Sequence, residues 1–151
     1  MIEGVKVRFL KPIVDERGRL MEMLKADWPE FSHFGQVYMT TAYPGVVNAL
    51  HNHKEQTDNF VCVQGMIKLV LYDGRKSSKT FKAVNEFCMG IHHAILVQIP
   101  PLVYHGFKCI SEQECLLINV PTHPYRYEDP DEYRLEAHTP KIPYNWERKD
   151  G

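Results

Sequence analysis

The stretch PGVVNALHNHKEQTDNFVCVQG, residues 44–65, decides how this chain is read. It places two histidines one residue apart, His51 and His53, an acid at Asp58, and glycines at Gly45 and Gly65. On a strand, residues i and i+2 point to the same side. If VVNALHNH (46–53) is a strand, both imidazoles enter one space. Burying two titratable groups together is costly unless they are paired, coordinated or used chemically. A third histidine, His105, follows a Pro-Pro turn in IPPLVYHGF (99–107), at a strand start from which a side chain can point into a barrel mouth.

Outward from this stretch the chain reads as short strands with turn signals between them. Strands are expected at GVKVRFL (4–10), after a turn in DERGRLMEML (15–24) with Leu20 and Glu22 on one face, and at QVYMTTAY (36–43). Further strands are expected at NFVCVQG (59–65), MIKLVLYDGR (66–75), TFKAVNEFCMG (80–90), AILVQIPP (94–101), HGFKCIS (105–111) and ECLLINVP (114–121). Two short helices are expected, in DWPEFSHFG (27–35) with Pro29 in its first turn and in DPDEYRLEA (129–137) capped by Asp129. RKSSK (75–79) reads as a solvated loop. From about 122 the tail is irregular and rich in proline and aromatics, which are expected to pack on the body of the protein. This pattern predicts one all-β domain over 1–151, a sandwich or barrel.

With 18 basic against 19 acidic residues, charge gives no reason to expect nucleic acid or an anionic membrane as partner. No apolar run reaches membrane-spanning length, and MIEGVKVRFLKP lacks the apolar core of a signal peptide, so a cytoplasmic protein is expected. Cys62, Cys88, Cys109 and Cys115 form no CxxC pair and read as buried free thiols.

The spacing from Gly45 through His51, His53 and Asp58 to Gly65 resembles the first cupin motif, with Asp58 where glutamate is usual. Pro100, four residues, His105 resembles the second, with Leu102 where glycine is usual. The resemblance implies a cupin jelly-roll barrel. Two chemistries suit the cluster. As metal ligands, His51, His53, Asp58 and His105 would suit a divalent transition metal such as Fe, Mn, Zn or Ni. Without metal, His51 is a general base and the others bind or orient a substrate.

Three separated motifs are similar to the dTDP-4-dehydrorhamnose 3,5-epimerase family: DERGRLMEML, QVYMTTAYPGVVNALH (36–51) and IPPLVYHGFKCIS (99–111). The resemblance implies a homodimeric cupin without cofactor that removes protons next to the keto group of a dTDP-4-keto-6-deoxyhexose. It makes His51 the catalytic base, with His53 and Asp58 beside it, and His105 a pocket histidine. Arg17, Glu22 and Gln36 fall on substrate-contacting positions, Arg17 and Glu22 sometimes serving the partner subunit. Asn48 stands where the family has a diphosphate-binding arginine, Asp58 where it has a lysine, and Ile118 where it has its acid tyrosine. Lys54, Tyr125 and Tyr127 are the polar groups offered as substitutes. HNHK (51–54) also resembles sugar 3,4-ketoisomerases, in which two histidines act on the same kind of substrate. With the family's acid and lysine absent, the resemblance also allows a sugar-nucleotide-binding cupin without catalysis.

Overall fold

Apolar side chains from strands across the whole chain meet in one layer, and two sheets enclose it. The computed structural model describes residues 1–150, which contain twelve β-strands and no α-helix. The strands are β1 (Lys6–Phe9), β2 (Ile13–Asp15), β3 (Gly18–Leu20), β4 (Tyr38–Ala42), β5 (Val47–Asn52) and β6 (Asp58–Gln64). They continue with β7 (Met66–Asp73), β8 (Val84–Gly90), β9 (Ile95–Ile99), β10 (Val103–Cys109), β11 (Cys115–Asn119) and β12 (Tyr133–Arg134). One sheet has the order β1-β9-β6-β11-β4 and the other β12-β5-β10-β7-β8, while β2 and β3 form a separate hairpin. Every pairing is antiparallel. This is the expected all-β jelly roll.

The central core takes Phe60, Val97, Ile99 and Leu117 from the first sheet and Ile67, Leu69, Leu71, Val103 and Phe107 from the second. The outer faces are covered too. Leu10, Met21, Met23, Leu24 and Trp28 lie over Val61 and Leu96 of the first sheet. Ile142, Tyr144 and Trp146 of the tail lie over Leu50, Val70 and Tyr72 of the second. Strands buried on both faces read as continuous apolar runs, which is why AILVQI does not alternate.

Both expected helices are replaced. Around 27–35 two four-residue turns form instead, Trp28 N–H to Lys25 O and Phe31 N–H to Trp28 O. The segment is held instead by β1: Arg8 pairs with Glu30 at 2.8 Å, its guanidinium lies over Trp28, and Lys6 donates to Pro29 O. In DPDEYRLEA, Tyr133 and Arg134 form β12 on the free edge of β5, and Leu135 and Leu50 exchange backbone bonds of 2.8 and 3.1 Å. Pairing an open sheet edge satisfies backbone groups that a short isolated helix would leave at its ends. The capping acid is Asp131, which accepts from the N–H groups of Lys54, Glu55 and Gln56.

Three further expectations need correction. Cys62, Cys109 and Cys115 are buried free thiols, but Cys88 is exposed. The RKSSK loop is not merely solvated, since Arg75, Ser78 and Thr80 all bond the fully buried Asp73. The tail packs Trp146 and Tyr144 on the barrel but leaves Tyr125 and Tyr127 exposed.

Candidate active site

One sharp departure from regular pairing sets the inner face of β5. His105 of β10 faces His51, yet Phe107 faces Asn48 and Lys108 faces Val47, so the register slips by one residue. Residues directly opposite in an antiparallel pair share a face. Asn48 and His51 therefore both point inward although three residues apart, while Val47, Ala49 and Leu50 join the outer cluster. Gly106 makes the slip possible: a Cβ there would lie 2.3 Å from Ala49 Cβ and 2.6 Å from Ala49 Cα.

On the inner face three imidazoles meet. Ring centroids lie 4.2 Å apart for His51–His105, 5.2 Å for His51–His53 and 5.7 Å for His53–His105. Asp58, at the start of β6 on the other sheet, is 1 % exposed and approaches His53 Nε2 at 3.2 Å and His105 Nε2 at 3.1 Å. Its other oxygen accepts from Gln56 Nε2 and Asn119 Nδ2, each at 2.8 Å. The two histidine contacts are close enough for strong charge attraction but miss the line of a directed bond, leaving both Nε2 atoms without a hydrogen-bond partner.

Backbone carbonyls decide which ring nitrogens carry protons. His53 Nδ1 donates to Asp131 O and His105 Nδ1 donates to Val103 O. With Nδ1 protonated, a neutral ring would turn an Nε2 lone pair toward the Asp58 carboxylate, which is repulsive. Burial works against a charged His53, yet the Asp58 carboxylate outweighs it and holds the His53 pKa above its ordinary value. Burial likewise opposes a charged Asp58, but His105 and His53 hold it well below the usual carboxylate range. Both shifts favour an imidazolium beside a carboxylate. His51 stands apart. Burial, then the charges of His105 and His53, push its pKa down to about 2 despite Asp58. It is a neutral imidazole on a half-buried ring.

Two groups that the sequence reading passed over complete the mouth. Tyr38, on β4, pairs with Asn119 in register and accepts a 2.8 Å hydrogen bond from its amide. Arg134, on β12, is the direct partner of His51 and so brings a cation to the same face. Tyr38 had a signal: it lies two residues after Gln36 in QVYMTT, and a strand would put both on one face. Arg134 had none, because its segment read as a helix.

His51, His53, Asp58 and His105 also qualify chemically as a metal-ligand set, since one donor atom from each lies within 4.8 Å of all the others. Three imidazoles and a carboxylate suit a divalent transition metal. The same four groups also allow chemistry without a metal, since Asp58 faces His53 and His105 and leaves the neutral His51 imidazole free.

The family described as dTDP-4-dehydrorhamnose 3,5-epimerase matches residues 1–151. The chain belongs to this family. It is 43 % identical over 147 residues to the probable low-salt glycan biosynthesis epimerase Agl13 of Haloferax volcanii, covering 96 % of this chain and 94 % of the relative. It is 36 % identical over 146 residues to the spore coat polysaccharide biosynthesis protein SpsL of Bacillus subtilis, covering 97 % of each. The crystal structure of a dTDP sugar isomerase from Desulfovibrio desulfuricans G20 superposes with a TM-score of 0.92 at 33 % identity, covering 99 % of this chain and 94 % of that one.

Within this epimerase-family barrel, the structure gathers His51, His53, Asp58, His105 and Asn48. Gln36 lies half-buried just before β4. Arg17 sits in the β2–β3 turn, solvent-exposed and paired with Asp15 at 2.5 Å. Glu22 is also exposed, 3.8 Å from Lys25. Tyr125 packs edge-on against Tyr127 and lines a cavity of about 20 Å³ with His53 and Asp131. Arg17 and Glu22 thus stand outside the histidine cluster of the single chain, and Tyr125 meets it only at the small cavity beside His53. Ile118, which the sequence resemblance sets at the acid tyrosine, is turned outward by strand alternation. Its neighbour Asn119 is buried at the site.

Proposed function

We propose that this chain is a sugar-nucleotide epimerase acting on a dTDP-4-keto-6-deoxyhexose, with His51 as the base. The observation that carries this reading is the division of labour among the histidines. His53 and His105 are turned to Asp58, whereas His51 is neutral and half-open to the mouth. Only an unprotonated imidazole can accept a proton.

His51 takes the proton from the carbon beside the keto group, and the C–H electrons pass to the carbonyl oxygen, giving an enolate. Reprotonation of that carbon from the opposite side inverts it. The low pKa of His51 in the free site makes it a weak base there. Burial, then the neighbouring histidines, depress it, and the enolate's negative charge, formed as the imidazole becomes positive, offsets both. Asp58 holds the orientation of His53 and His105 rather than stabilising the enolate, since two negative charges would repel. Arg134 and Asn48 supply polar contacts for the substrate on the β5 side.

On this reading the site works without a metal: His51 takes the proton, and Asp58 and backbone carbonyls orient His53 and His105. The protein acts as one domain and as a homodimer in the cytoplasm. Ile13 and Leu20 face each other across the β2–β3 hairpin and are 60 % and 59 % exposed. A lone two-stranded hairpin is marginally stable in water, so a partner subunit is the natural cover. That docking carries Arg17 and Glu22, exposed in one chain, toward the partner's site. Free cysteines suit a reducing compartment.

The reading is tested by incubating the protein with dTDP-4-keto-6-deoxyglucose in deuterated water, before and after dialysis against a chelator. Deuterium should enter at a carbon flanking the ketone, at a rate that chelation leaves unchanged. Absence of exchange would overturn the assignment, and exchange lost on chelation but restored by Mn²⁺ or Fe²⁺ would favour the metal-ligand chemistry.

A further inference from the structure

We propose that Tyr38 is the proton donor of this site, acting on the sugar face opposite His51. The inference rests on the epimerase reading above and names the group that reading lacks, since the position of the family's acid tyrosine is Ile118.

Inversion at carbon needs a base on one face and an acid on the other. The barrel supplies two facing walls. His51 projects inward from β5 in the second sheet, and Tyr38 projects inward from β4 in the first, where its register partner Asn119 is buried beside Asp58. A sugar ring entering between the sheets has the imidazole on one side and the phenol on the other. Tyr38 is 38 % exposed, as a group at the mouth must be to reach a substrate and to regain a proton from water.

The hydrogen bonding also orients the phenol as a donor. Asn119 Nδ2 donates to the Tyr38 oxygen and to Asp58, so the hydroxyl acts as acceptor in that bond. The amide of Asn119 is itself fixed, because its carbonyl accepts from Asn59 N–H. The hydroxyl donates to no protein group among the described residues, so its own proton is available to a substrate. Burial, followed by the nearby Asp58 and Glu132 charges, pushes the Tyr38 pKa up to about 12, which keeps the phenol protonated at neutral pH. Other tyrosines are placed differently: Tyr133 shares a face with Asn52 on the outer side, and Tyr144 donates to Glu86 beneath the tail.

The step balances. His51 removes the carbon proton and the pair passes to oxygen. The enolate carbon then takes the Tyr38 proton as the O–H bond breaks, and the carbonyl reforms. The tyrosinate regains a proton from water, and the His51 imidazolium releases one.

The test separates exchange from inversion in deuterated water, using dTDP-4-keto-6-deoxyglucose and the variants Tyr38→Phe and His51→Asn. In Tyr38→Phe, His51 still removes the proton and can return a deuteron to the same face. Exchange is expected within about threefold of wild type, with epimer formation at least about 100-fold slower. His51→Asn should lose both. A Tyr38→Phe variant that inverts at the wild-type rate, or loses exchange and inversion equally, overturns the role of Tyr38 while leaving His51 as base. Wild type that neither exchanges nor inverts overturns the epimerase reading and the Tyr38 role with it. If Tyr38→Phe does not fold, 3-fluorotyrosine at position 38 keeps the hydroxyl and lowers its pKa. The alkaline limb of kcat should then move to lower pH, and an unmoved limb contradicts the proposal.

Discussion

His51 ties stability to function through a single proton. Its folded-state pKa is depressed to about 2, whereas an unfolded histidine titrates near 6.5. Between those values the unfolded chain binds more protons than the folded one, so stability rises with pH and falls on acidification. His53 has the opposite sign: its pKa is raised, so its contribution is complete below about pH 6.5 and is lost only as pH climbs through the folded value. Asp58, depressed, contributes throughout the range above about pH 4. From pH 6.5 down to 4.5, His51 is therefore the member of the cluster that costs stability. Denaturant unfolding of wild type and His51→Asn should diverge over this window, wild type losing roughly 1 kcal/mol more per pH unit. Parallel curves would mean that His51 is protonated in the folded protein. At this scale the sequence was informative about the cluster, because His-x-His and Asp58 follow from strand period and motif spacing. Asn119 was opaque: nothing in ECLLINVP says which of Ile118 and Asn119 faces inward, and only the pairing with β4 and β6 decides it.

At the scale of elements, the site depends on how β5 meets β10. Most strands were legible from apolar patterning, but the one-residue slip between His105 and Phe107 was not, since a bulge reverses the parity on which such readings rest. That slip puts Asn48 on the same face as His51 and needs Gly106. Gly106→Ala brings its Cβ against Ala49 Cβ, Ala49 Cα and Asn48 O, the last at 2.9 Å, and two of these atoms are backbone that cannot rotate away. Gly106→Ala should destabilise the protein by about 1–3 kcal/mol in denaturant titrations and slow deuterium exchange by displacing His105 and His51. Unchanged stability would show that β5 is free to shift. The missed helices have a related cause. Local capping signals at Pro29 and Asp129 were real but weak beside long-range bonds: the Arg8–Glu30 pair in one case and the β5 edge in the other.

Over the whole molecule, the two sheets place His51 on one wall and Tyr38 on the other, the complementary halves of the proposed reaction. The jelly roll and the single histidine pocket were both expected from the sequence. The covering of β5 by residues 133–135 was not, because a two-residue strand has no periodicity to detect. A larger cavity, about 430 Å³, lies on the outer side of the second sheet between Lys68, Lys108, Cys88 and Trp146, away from the histidine cluster. The distance from His51 to the sugar, in a crystal of the protein with an unreactive dTDP-6-deoxyhexose, tests the account most directly. An imidazole nitrogen of His51 should lie about 3–3.5 Å from a carbon flanking C4, with the Tyr38 hydroxyl on the opposite face of the ring. A sugar seated in the outer cavity, or with both faces turned away from His51, would contradict it.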